Sequence, residues 1–319
     1  MTSSCPFRPH PLSIELFTLA YTLFTTCLIL LFWQEMTDPI RLLEGRALIV
    51  CGMGLLFLIY RKHPHFATLL LRYIFPISLL SYWYPDTYEF CQLFPNLDHI
   101  FATADQALFD CQPSIVFAQL LHSKFWSELF HLGYFSYYPL ILLAVLTPLW
   151  TNRAVFERTA FVILATFFFY YFIFLFIPAA GPQYYFEAIG FDMVETGNFP
   201  PIGDYFRYHT QMADSPGPDG FFRNLVELTQ ASGERPTAAF PSSHVGVSTV
   251  LLFLLYRNKH WLFYCALPFY LILCCSTVYI QAHYLVDVIA GLITGIVFYF
   301  FCNWLWEKGP EYKNSLQDL

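Results

Sequence analysis

Charge is what this sequence has least of. Only 12% of its 319 residues are Asp, Glu, Lys or Arg, against roughly 25% in an ordinary soluble protein. No Lys/Arg-rich run occurs and the net charge is −7, so nothing suggests a nucleic-acid partner. The nine cysteines form no CxxC pair at metal-ligand spacing, so no metal site is expected. Short repeats are absent, and so are the inverted repeats that mark many transporters. The amino-terminal segment has one arginine, Arg8, and no small-residue cleavage site ahead of its apolar run. It reads as a first membrane helix rather than a removed leader.

Hydrophobicity is what the chain has in excess: 57% of residues are hydrophobic and 20% aromatic. Apolar runs of roughly 20 residues recur, which predicts an all-α polytopic membrane bundle of about eight transmembrane helices. The expected spans are 13–33, a weaker 47–60, 66–84 interrupted at Pro76, 130–150, 159–178, 242–256, 261–280 and 285–306. Arg72 lies inside the third, placed to snorkel or to face a polar interior. The whole is read as one membrane domain: three spans in 1–85, an outward segment in 86–127, and a catalytic core in 128–319 carrying a long 179–240 loop. Within the outward segment, Leu97, Ile100, Phe101, Ala104 and Leu108 have the spacing of an interfacial amphipathic helix.

The short loops set the orientation. Arg61, Lys62, Arg153, Arg158, Arg257 and Lys259 fall on one side, joined by Arg8, Lys308 and Lys313 at the termini. Arg41 and Arg46 stand against this pattern. The positive-inside rule places both termini in the cytoplasm and the 86–127 and 179–240 segments outside. Cys91 and Cys111, both in the outward segment, are candidates for a disulfide.

Two stretches carry the chemistry. PSSH at 241–244 opens a membrane helix, with Ser242 or Ser243 available as its cap and His244 directly after. Free N–H groups at a helix start suit a phosphate. In the second stretch, STVYIQAHYLVD at 276–287, His283 and Asp287 stand at i and i+4 and share a helix face. An acid inside a span needs a partner or a function. Asp287 accepting from one ring nitrogen of His283 leaves the other free as a nucleophile, with His244 as the general acid. Arg235 is a candidate phosphate clamp, and Ser243 and Ser242 are candidate substrate-binding residues, with Ser243 as donor to the phosphate. His131 and Tyr134 share a face of the fourth span and read as core. Gly291 and Gly295 form a GxxxG that reads as a close helix contact.

The same stretches resemble the second and third signature motifs of the type 2 phosphatidic acid phosphatase superfamily, PSGH and SRxxxxxHxxxD. The resemblance implies a helical-bundle core without a metal or other cofactor. It also implies that His283 is phosphorylated, Asp287 orients it, and His244 serves as acid and base. The first motif, KxxxxxxRP, is half present: Arg235 and Pro236 match, but Leu228 stands at the lysine and Thr277 at the third motif's arginine. HYLVDVIAG, NLDHIFATADQALF and HLGYFSYYP are similar to the inositol phosphorylceramide synthase branch, which moves a headgroup phosphate between lipids. The expected activity is therefore phosphotransfer between membrane lipids, on a phospholipid or sphingolipid. A lipid phosphate phosphatase is the first alternative and a transporter the second.

Overall fold

The computed structural model describes residues 10–150 and 152–312. Arg8 and Lys313, two of the orienting charges, lie outside the described residues. The chain is helical throughout, with no strand among the described residues. The first four helices are α1 (Ser13–Leu31), α2 (Pro39–Lys62), α3 (Phe66–Ser78) and α4 (Leu80–Cys91). Two short helices follow, α5 (Asp98–Phe109) and α6 (Pro113–Leu120), then α7 (Lys124–Phe135), α8 (Tyr137–Leu146) and α9 (Arg153–Phe176). The 179–240 loop folds into α10 (Pro182–Ile189), α11 (Phe191–Glu195) and α12 (Phe221–Gly233). The last three are α13 (Ser243–Asn258), α14 (His260–Tyr279) and α15 (Leu285–Lys308).

Among the described residues, seven segments are long and apolar enough to cross a membrane: α1, α2, α3 with α4, α7 with α8, α9, α14 and α15. The eighth expected span, α13, is only 16 residues long and packs against α8, α9, α14 and α15. It is buried on almost every side, from Val245 to Leu255. This is the all-α polytopic bundle that the apolar runs predict.

Several boundaries differ from the sequence expectation, those of the second and third spans most. The second span begins at Pro39 rather than 47, because Asp38 caps it by accepting from the Arg41 N–H at 3.1 Å and Pro39 suits the first helical position. Arg41 and Arg46 are therefore helical rather than loop residues. Arg46 is buried against Asp86, with Nη2 to Oδ2 at 2.7 Å, and bonds Thr25 as well. The third span runs on past 84: α4 continues to Cys91, so the 85/86 boundary falls inside a helix. The break in that span lies at Leu79, three residues beyond Pro76. Arg72 faces the interior, where Glu15 takes Nη2 at 2.6 Å and the His10 carbonyl accepts from it at 2.9 Å.

The longer α4 also removes the expected disulfide. It carries Cys91 into the interior, where Sγ lies 2.8 Å from both the Phe174 carbonyl and Thr237 Oγ1, and both Cys91 and Cys111 are free. The GxxxG behaves as read. A Cβ at Gly291 would come within 2.5 Å of the Ser242 carbonyl, and one at Gly295 within 2.6 Å of the Gly246 carbonyl. Only hydrogen at these positions lets α15 approach α13 so closely.

Polar bonds between helices fix which ends meet. Arg158 bonds Asn303 at 2.7 Å and Asn258 bonds Thr159 at 3.2 Å, gathering the start of α9 with the ends of α13 and α15. The opposite end collects the start of α13, the end of α14 and the start of α15. Both motif histidines are there.

Candidate active site

The site forms where α13 and α15 begin. Ser242 Oγ accepts from the Val245 N–H at 3.4 Å and is the cap of α13, leaving Ser243 to line the cavity. The Ser242 N–H donates to the Asp287 carbonyl at 3.0 Å, so the two motif stretches are tied backbone to backbone. His283 lies in the short link between α14 and α15, its ring 5.8 Å from that of His244. Ala238 and Gln281 in the two stretches have φ of 69° and 64°, left-handed values that cost a side-chain-bearing residue about 1 kcal/mol each.

His283 has a defined tautomer. Its Nδ1 lies 2.8 Å from the Ala239 carbonyl, which can only accept, so Nδ1 carries the proton and Nε2 has the free lone pair. Asp287 was expected to take this bond. Its Oδ2 stands 3.6 Å from Nδ1, beyond hydrogen-bond reach, and accepts instead from the Tyr284 N–H at 2.9 Å. Asp287 thus stands beside the ring without a bond to it, and its Oδ1 is buried without a partner. Burial pushes the His283 imidazole down to about 4, which keeps it neutral near pH 7.

His244 is held by aromatic rings. Tyr134 stacks on it with centroids 4.6 Å apart, and Tyr137 lies at 4.5 Å. Its Nδ1 is buried and unpartnered. The sequence reading placed Tyr134 in the core beside His131 and missed this contact. His131 itself is a core residue, its Nδ1 donating to the Ser127 carbonyl at 2.7 Å.

A small cavity of about 10 Å³ lies between the histidines, lined by Tyr84, Glu234, Thr237, Ser243, His244 and His283 among others. That is room for about one water. Its lining contains no Lys or Arg and one carboxylate, Glu234, which burial raises to about 7. Arg235, the expected clamp, is exposed and turned away. Its Nη1 donates to the Glu234 carbonyl, and the side chain lines a separate cleft of about 720 Å³ with Arg41, Glu44, Tyr88 and Glu89. Leu228, at the missing lysine, is exposed, and Thr277 is buried with its hydroxyl on the Cys274 carbonyl. The structure therefore brings together His244, His283, Asp287, Ser242 and Ser243, but not Arg235.

Glu234 was the legible omission, since it directly precedes Arg235 in the motif. Asp98 and Asp105, which bond the start of α15 and its surroundings, lie in NLDHIFATADQALF, a stretch read for its family likeness and its apolar spacing but not for its carboxylates.

The sequence matches no curated protein and no solved structure. The pattern of one family does match, over residues 98–301, more than half the chain and spanning both histidine stretches. With two histidines and a carboxylate at the joined ends of membrane helices, the chain belongs to the PAP2 superfamily.

Proposed function

We propose that this PAP2 superfamily protein transfers a headgroup phosphate from a phospholipid to a lipid alcohol, as the inositol phosphorylceramide synthase branch does with sphingolipids. Membership supports phosphatase or phosphotransferase chemistry in general. His283 Nε2 attacks phosphorus while the bond to the leaving lipid alcohol breaks, and His244, whose protonated form the bound phosphate anion favours, gives that alcohol its proton. The phosphohistidine ring then carries positive charge, with the Asp287 carboxyl group 3.6 Å from its Nδ1. The acceptor alcohol next returns a proton to His244 and attacks phosphorus, and the P–N bond breaks to free His283.

The observation that favours transfer over hydrolysis is the lining of the cavity. A phosphate monoester brings nearly two negative charges and is ordinarily held by several cations. Here the lining offers no Lys or Arg and adds Glu234, a pattern better suited to the single charge of a diester. The 179–240 segment, which contributes Ala180, Glu234 and Thr237 to the lining, also suits a phosphohistidine that must outlast water until a lipid arrives. The deciding experiment supplies the purified protein with phosphatidylinositol and ceramide or diacylglycerol, and separately with phosphatidate. Transfer product from the first mixture is expected. Rapid inorganic phosphate release from phosphatidate, with no transfer product from any alcohol tested, rejects transfer in favour of the phosphatase reading.

We also place the site on the outward face, with both termini cytoplasmic. Support comes from the basic residues gathered at the end opposite the histidines. Cysteine introduced at exposed Asp204 should react with an impermeant thiol reagent added outside, and cysteine at exposed Lys259 should not. The reverse pattern overturns the orientation.

A further inference from the structure

Helix α5 turns carboxylates, not its whole apolar stripe, toward the protein. Ile100 and Leu108, from the apolar stripe that predicts an amphipathic helix, are 50% and 66% exposed, while Asp98 and Asp105 are at 0%. On an interfacial helix the exposed apolar residues are open to lipid, and the carboxylates are turned to the protein. The inward face presents Asp98, Phe101, Ala102 and Asp105, at i, i+3, i+4 and i+7.

Each of these residues reaches a segment of the site. Asp105 accepts from the N–H groups of Leu285 at 2.8 Å and Val286 at 3.0 Å, the first two of α15, directly after His283 and Tyr284. Asp98 accepts from the N–H groups of Ala180 at 2.7 Å and Gly181 at 2.8 Å, from the Tyr284 hydroxyl at 3.1 Å and from Asn96 at 2.5 Å. Gly181 in turn lies against the Ala282 carbonyl, where an added Cβ would approach to 2.4 Å. Phe101 stacks on Phe240, four residues before His244, with centroids 4.3 Å apart. One helix thus holds the link bearing His283 from two sides and touches the stretch bearing His244.

We propose that Asp98 and Asp105 are positioning residues of the catalytic centre, bracing residues 281–287 so that His283 Nε2 is held toward the cavity. The bonding chemistry makes the carboxylate specific. Each of Leu285 and Val286 needs an acceptor, and a carboxylate supplies two oxygens with no donor. Asparagine supplies one oxygen and sets an NH₂ against the second N–H. Burial opposes both charges, so the brace persists through its donors: two backbone N–H groups on Asp105 and four donors on Asp98.

This inference rests on the reading of His283 as the nucleophile, and the test keeps the two apart. Full-length Asp105→Asn, Asp98→Asn, His283→Ala and Asn152→Ala proteins are assayed with phosphatidylinositol plus ceramide and with phosphatidate, normalised to folded protein. Asn152 caps α9 at the far end of the bundle, through the Ala154 N–H at 2.9 Å, and reports the loss of a purely structural cap. Misplacing a reacting atom by about 1 Å costs on the order of a hundredfold in rate. The Asp variants should therefore lose about ten- to a hundredfold in kcat with KM within about threefold. Asn152→Ala should lower the melting temperature and leave kcat within about twofold. If an Asn variant fails to fold, Asp105→Ser, which keeps one neutral acceptor, reads the same split. An inert His283→Ala beside a kcat unchanged in the folded Asp variants overturns the positioning role alone. An active His283→Ala overturns the site itself.

Discussion

The amino-terminal four helices and the region from α5 onward both bury charge, but they use it differently. In the first region each buried ion has its counter-ion: Arg46 with Asp86, and Arg72 with Glu15. Ser13 adds a close contact to Glu311 from the far end of the chain. Both regions leave some buried polar atoms open, Tyr21, Tyr73 and Trp83 in the first among them, but in the second these include motif residues. His244 Nδ1 and Asp287 Oδ1 have no partner, and His283 keeps one ring nitrogen free. Paired charges join helices, whereas an open valence at a motif residue costs stability and leaves an atom available to a substrate. The family match begins at Asp98, after the paired region.

Substitutions on the two sides should separate activity from stability. The largest effect is expected for His283→Ala: turnover should fall by several orders of magnitude while the melting temperature changes little. Near-normal activity in that folded variant would erase the distinction. Asp86→Ala should do the reverse, losing about 3–5 kcal/mol of stability by stranding Arg46 while the folded fraction stays active. Replacing both partners, as Arg46→Met with Asp86→Leu, should recover most of that loss in a denaturation assay.

A smaller effect sharpens the role of Asp287. Because Ala239 rather than Asp287 fixes the His283 tautomer, Asp287→Asn should cost only about ten- to a hundredfold in kcat, or roughly 1.4–2.7 kcal/mol of transition-state stabilisation. A loss equal to that of His283→Ala would show that the tautomer depends on Asp287 after all.

The pH response follows from His283. Its folded value of about 4 lies below the ordinary 6.5, so between the two the unfolded chain binds the proton and the folded chain does not. Stability contributed this way is complete above about 6.5 and is lost as pH falls toward about 4, and the active neutral ring persists down to the same limit. Chemical denaturation at pH 7, 6 and 5 measures it; the decline should shrink in His283→Ala.

Glu234→Gln should give the smallest change. Removing the carboxylate should raise phosphatidate hydrolysis severalfold relative to diester transfer, because it lowers repulsion of the second phosphate charge. An unchanged ratio of the two activities separates Glu234 from substrate choice.

Local periodicity made the helical spans legible, and residue spacing made His244, His283 and Asp287 legible, because both are properties of a few neighbouring positions. Cap chemistry set the start of α13 at Ser242 for the same reason. The unpredicted features all required distant segments to meet. Arg46 looked like a misplaced loop charge until α4 brought Asp86 to it, and Cys91 looked available for a disulfide until the same helix buried it. Arg235 carried the motif's letters, yet the chain turns it into another cleft and puts Glu234 by the histidines. Helix α5 shows the limit best. Its sequence fixes amphipathic spacing but not which face is buried, because rotation about the helix axis depends on the donors that wait on other elements. Only with the N–H groups of Ala180, Gly181, Leu285 and Val286 in place does an aspartate face become the inner one. Helix and motif are thus short-range properties of the chain. Which valences are filled and which stay open was decided by the tertiary structure, since it depends on partners tens to hundreds of residues away.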